Sequence, residues 1–178
     1  AGPALRTIPV IEVDRAGPED AIPEVAAMVA FAENSACAEE RPGVIEDRAF
    51  SLGNGGGVAK ALVLISCGSG AYNMSSAVFI AQQNADKGWQ FAPAQFDLPS
   101  FRPTASSQPQ LVINANWDAV KRTLGSHNKS RGAGDCGLDT EFVWDGKMFR
   151  LIEAMGMAVC RGAPDWLPLW RAKVSVRN

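Results

Sequence analysis

Residues 140–155 read TEFVWDGKMFRLIEAM, and the Asp145-Gly146 pair at their centre decides the fold class. Two runs suited to strands flank a dipeptide suited to a turn that needs positive φ. This is the strongest hairpin signal in the chain, and it predicts a sheet built from neighbouring antiparallel strands.

The same grammar extends in both directions. RAFSLG, then GNGGG at 53–57, then VAKALVLISC predicts a hairpin with a flexible glycine loop. SSAVFIAQQ continues it, NADKG turns the chain, and WQFAPAQFDL is expected to pair back. LPSFRPTASSQPQ (98–110), rich in Pro and Ser, reads as a long connection. LVINANWD and the segment around TLGSHNKS read as two further strands, and LWRAKVSV as the last. No repeat of fixed period and no low-complexity tract occurs.

Only one segment has helical spacing. After an extended lead-in over residues 1–17, Ile22, Val25, Ala26, Val29 and Ala30 recur near every third or fourth position. Glu19, Asp20 and Glu24 would sit in the first turns, where the helix dipole favours acids. One amphipathic helix is expected over about 20–36, its face with Met28 and Phe31 packed on a sheet. The fold class is therefore α+β, predominantly antiparallel β as a sandwich or barrel-like sheet, with one N-terminal helix. Residues 1–48 form the lead-in and helix, 49–178 the β domain, together one compact unit.

Composition removes several functions. The 178 residues carry a net charge of −2, with 47% hydrophobic and 20% charged residues. A pI near 5.4 lacks the basic face that nucleic acid requires. No stretch approaches the roughly 18 apolar residues of a membrane span; IPEVAAMVAFA (22–32) is too short and contains Glu24. The chain begins at Ala1 rather than Met, which fits a removed leader or an expressed fragment equally.

The four cysteines are Cys37, Cys67, Cys136 and Cys160, an even count compatible with two disulfides and an oxidising compartment. With no C-x-x-C and only one histidine, His127, a structural zinc site is not expected. GNGGG fails as a phosphate or dinucleotide loop, because Val58 replaces the last glycine and a strand follows. No cofactor is expected.

SHNK (126–129) has the S-x-x-K spacing of penicillin-recognising enzymes but not their partner motifs. His127, Ser130, Arg131 and Cys136 look faintly similar to the core of cysteine peptidoglycan transpeptidases, with three residues inserted before the cysteine. Asp135 would raise the thiol pKa, so a structural disulfide is the stronger reading of Cys136. Asp135, Asp139 and Asp145 match no calcium loop, and the sequons at Asn73 and Asn128 matter only in a eukaryotic secretory pathway. In CRGAPDWLPLWRAKV, Trp166 and Trp170 stand near Arg161, Asp165 and Arg171. That is the composition of a sugar- or protein-binding surface, and equally of a plug for one end of a β core, the favoured reading.

LVLISCGSGAYN, HNKSRGAGDCG and TEFVWDGKMFRLIEAMGMAVCRGAPDWLPLWRAKV closely resemble the C-terminal half of the bacterial domain of unknown function 1176 family. The resemblance covers roughly residues 50–176 and is loose over 1–48. It implies an exported, periplasmic protein of Gram-negative bacteria. Members usually carry an additional N-terminal half, so a trimmed or short member is expected. It supplies no catalytic residues. Of the three connectivities four cysteines allow, an exported protein with cysteines near its sheet ends is expected to pair Cys37 with Cys67 and Cys136 with Cys160.

These readings lead to a non-catalytic periplasmic domain that binds an envelope protein or glycan. Its candidate binding residues are Tyr72, Asn73, Arg131, Arg161, Trp166 and Trp170. The alternative is a thiol-dependent cell-envelope enzyme using Cys136 with His127, which requires a free Cys136.

Overall fold

A computed structural model describes residues 7–15, 17, 20–41, 46–54, 57–97, 109–162 and 165–177. Two antiparallel sheets face each other, and a helix covers the outside of one. The first sheet runs β2 (Arg48–Asn54), β3 (Ala59–Ser69), β4 (Met74–Gln83) and β5 (Trp89–Pro93). β7 (Leu111–Ile113) shares the far edge of β4 with β5. The second sheet orders β12 (Leu167–Arg171), β11 (Phe149–Met157), β10 (Gly137–Trp144), β9 (Thr123–Lys129) and β8 (Asn116–Asp118). β6 (Phe96–Asp97) adds to β11 in parallel. A separate parallel ribbon joins β1 (Val10–Val13) to β13 (Lys173–Val176). Among the described residues the sheets stack as a sandwich and close no barrel.

β3 shows why its sequence is so uniformly apolar. Leu62 and Leu64 point between the sheets, where they meet Leu124, Phe142, Trp144, Phe149 and Leu151. Ala61, Val63, Ile65 and Cys67 point the other way, onto Met28 and Ala32 of the helix. Because alternate side chains leave opposite faces of a strand, only a strand covered on both sides can be apolar throughout. Phe96 lies between Phe142 and Phe149, both at 5.0 Å, in the inner core. Phe31 stacks on Phe91 at 4.4 Å beneath the helix.

The helix α1 (Val25–Glu33) is shorter than the expected 20–36. Pro23 disfavours helical geometry at Ile22. At the other end Asn34 caps the chain, the Ser35 hydroxyl donates to the Ala32 carbonyl, and a 3-10 turn follows at Ala38–Glu40. Asp20 lies outside the first turn and donates its N–H to Ser51 Oγ, while Glu19 falls outside the described residues. Met28 and Phe31 pack on the sheet as expected, but Ile22 and Val25 are exposed.

Three expected strands break in two. In WQFAPAQFDL, β5 pairs back on β4, but β6 crosses to the second sheet. LVINANWD changes sheet at Asn114, whose φ of +48° gives the corner between β7 and β8. LWRAKVSV divides into the end of β12 and β13, which belong to different sheets. The central hairpin forms as expected with Gly146 at φ +101°. Its loop has four residues, 145–148, because Trp144 pairs with Phe149. The Asp145 carboxylate accepts the N–H groups of Lys147 and Met148 to close it.

Candidate binding site

The outer face of the second sheet collects polar side chains at alternate positions. Register sets Asp139 beside His127 on β9 and Met155 on β11, and Glu141 beside Gly125 and Glu153. With Asn116, Asp118 and Thr123, all of these except His127 line a groove of about 200 Å³. Gly125 contributes no side chain, so its floor stays open. Thr123 Oγ1 donates to Glu141 Oε1 at 2.7 Å, fixing one wall. At one end the Lys121 and Val120 N–H groups bond Asp118 and hold its carboxyl below the usual carboxylate range. At the other, Arg171 pairs with Glu153 at 3.0 Å.

Beyond Asp139 and Met155 lies a second hollow of about 300 Å³ that also meets His127, Asp165 and Trp166. The imidazole of His127 stacks on the Trp166 indole with centroids 5.2 Å apart and planes 14° from parallel. Gly137 makes room for this: at φ +145°, a Cβ there would collide with the Asn128 carbonyl and lie 3.1 Å from the Trp166 ring.

The loops behind this hollow are tied together several times. The Arg131 guanidinium binds both carboxylate oxygens of Asp135, and the Gly162 N–H donates to the same carboxylate. These contacts hold the Asp135 carboxyl well below its ordinary range, the Arg131 bond first and Gly162 second. Next to it Cys136 bonds Cys160, and near the β3–β4 hairpin Cys37 bonds Cys67, the two pairs that the resemblance implied. No cysteine is free. Buried and bonded to Cys160, Cys136 presents no thiolate to His127 in this state. The Asp135 carboxylate and the sulfurs of Cys136 and Cys160 lie within 4.8 Å of one another, but the sulfurs are bonded to each other and the acid is engaged by Arg131.

The structure separates the six residues singled out in the sequence. Tyr72, Asn73 and Arg131 come together, at the corner where the β3–β4 hairpin meets the end of β9. Tyr72 donates its hydroxyl to the Ser130 carbonyl. Asn73 donates to the Lys129 carbonyl at 2.8 Å and accepts from the Lys129 N–H and the Asn114 amide. Asn114 in turn accepts the Met74 N–H and donates to the His127 carbonyl. Arg161 is exposed and forms no ion pair among the described residues.

The two tryptophans lie apart, and neither plugs the core. Trp166 borders the outer hollow, whereas Trp170, 43% exposed, donates its indole N–H to the Leu151 carbonyl. It lines a different, apolar hollow with Pro9, Val10 and Ile11. The plug expectation fails because β12 is an edge strand, exposed along its whole length. Asp139, Glu141, Glu153, Asn116 and Thr123 are groove residues that sequence reading missed. Polar alternation along β10 was a signal, but only the register aligns it with β8, β9 and β11.

A two-sheet antiparallel sandwich, stapled by two disulfides and carrying a polar groove on its outer face, is the class that fold and site define. The chain belongs to the family described as protein of unknown function (DUF1176), whose sequence model matches residues 1–173. That match takes in the first 48 residues, where the resemblance had looked loose. An uncharacterized protein, YpfG, of Escherichia coli (strain K12) is 32% identical over 114 residues, 62% of this chain and 32% of the relative. The chain thus spans about a third of the length of that relative. No solved structure matches it. Among the described residues no helix is long and apolar enough to cross a membrane. Paired disulfides are the kind of bond that persists in an oxidising, extracytoplasmic compartment.

Proposed function

We propose that the chain is a non-catalytic periplasmic binding module that takes an envelope glycan along the outer face of its six-stranded sheet. The observation that carries this is the open groove from Asp118 to Asp139, lined by carboxylates, an amide and hydroxyls and continued by the Trp166 ring. Such side chains suit the hydroxyl-rich edges of sugars, and a tryptophan face suits their C–H surface. A sheet supplies a rigid base, which limits the entropy lost on binding. Residence in the periplasm is supported by the two disulfides and by the family resemblance.

Co-sedimentation with purified, insoluble cell-wall glycan tests the reading. The wild-type chain is expected in the pellet, and Trp166→Ala is expected to weaken retention about tenfold or more, as truncation of an aromatic anchor does. Equal retention of wild type and variant, or none of either, would contradict it.

A protein partner is the second reading, and a different surface favours it. Leu167, Leu169 and Trp170 are all exposed on the edge strand β12, and apolar surface of this kind marks contact sites between proteins.

A further inference from the structure

We propose that His127 is a proton-driven latch that sets how firmly Trp166 is held against the groove. The latch regulates the binding site proposed above and so rests on that reading, but its direct readout needs no ligand. His127 is the one histidine of the chain. Its ring stacks nearly parallel to the Trp166 indole, and its Nδ1 lies 3.6 Å from an Asp139 carboxylate oxygen. That separation is within ion-pair reach and beyond a good hydrogen bond. The neutral ring therefore holds Trp166 by stacking alone.

A proton from solvent changes both contacts at once. The imidazolium becomes a cation over the face of an indole, and Asp139 gains a charged partner. The charged groups that face the ring are mostly acidic. Asp139 faces it from β10 and Asp165 from the residue before Trp166, with Glu141 and Glu153 further along the same face. Lys129, two residues along β9, is the opposing charge, and its side chain leans over Gly134. Arg131 is already paired with Asp135. Both His127 and Asp139 are about half exposed, so protons reach them freely. Trp166 immediately precedes β12, whose first residue Leu167 pairs with Gly156. Protonation closes the latch and loss of the proton loosens it.

With one histidine, the imidazole resonances are unambiguous in NMR, and Trp166→Phe assigns the indole. Both are followed from about pH 4.5 to about 8.5, the span of an imidazole titration. Trp166 resonances are expected to shift on a one-proton curve with the His127 midpoint. The shift is expected to vanish in His127→Phe, which keeps a stacked ring but takes no proton. A pH-independent Trp166 beside a titrating His127, or a response that survives in His127→Phe, would overturn the latch. If Trp166 is pH-independent while glycan retention persists, the latch alone is lost. If the latch works and retention is absent, the binding reading alone is lost.

Discussion

Asp135 holds Arg131 through both carboxylate oxygens, with Arg131 Nε 2.7 Å from Oδ1, and the same acid accepts the Gly162 N–H. One buried carboxylate thereby joins the loop before β10 to the loop after β11, beside the disulfide that links the same two loops. Its carboxyl is held below the ordinary range, so the folded state prefers it ionised. The stabilisation is complete above the unfolded carboxylate range, near pH 4, and fades as pH falls towards the depressed folded value. Thermal unfolding followed from about pH 6 to about 3 should show a steeper loss of Tm in the wild type than in Asp135→Asn. Equal slopes would contradict this assignment.

Asn73 is predicted to be a joint between the sheets. Its amide joins the β3–β4 hairpin to the end of β9 through Lys129 and to the sheet-switching corner through Asn114. Asn73→Ala strands several of these groups and is expected to cost about 2 kcal/mol in denaturant unfolding. Glycan retention should remain once the variant is folded. An unchanged midpoint together with lost retention would return Asn73 to a binding role.

How much of this was legible in the sequence depends on the range of the interaction that fixed it. The hairpin around Asp145-Gly146 was readable because turn chemistry and flanking runs are local. The continuous apolar run of β3 was readable as a strand, though not the reason for it, which is a sheet behind and a helix in front. The sheet change at Asn114 left no trace, since either half of LVINANWD is good strand sequence and the corner depends on distant partners. The groove was hidden for a related reason: Asp139 acquires His127 and Met155 as neighbours only when three strands align. Trp166 and Trp170 stand close in sequence, and a bulge in β12 opposite Ala154 and Met155 sends them to different surfaces.

The disulfides should each contribute substantially to stability. Cys136 and Cys160 are 24 residues apart and Cys37 and Cys67 are 30 apart, so closing either loop is worth about 3.5 kcal/mol on a chain-entropy account. Cys136→Ser with Cys160→Ser is expected to lower unfolding free energy by about that amount. Intact mass after unfolding and alkylation without reductant should show no added alkyl groups on the wild-type chain. Two additions at Cys136 and Cys160 would contradict the bonded state and reopen thiol chemistry at His127.

We further propose that the first 48 residues and the sheets form one cooperative unit. α1 packs on β3 and is tied near its end by Cys37, while β1 pairs with β13. Far-UV and near-UV circular dichroism should therefore melt together in a single transition. Separate midpoints would divide the chain into independent parts.

The claim that the outer sheet face is the binding surface meets its most direct test in a backbone amide NMR titration with soluble fragments of cell-wall glycan. The account predicts shifts concentrated at His127, Asp139, Glu141, Glu153 and Trp166, with Leu167, Leu169 and Tyr72 little affected. Shifts confined to the Leu167–Trp170 edge, or no shifts at millimolar fragment, would contradict it.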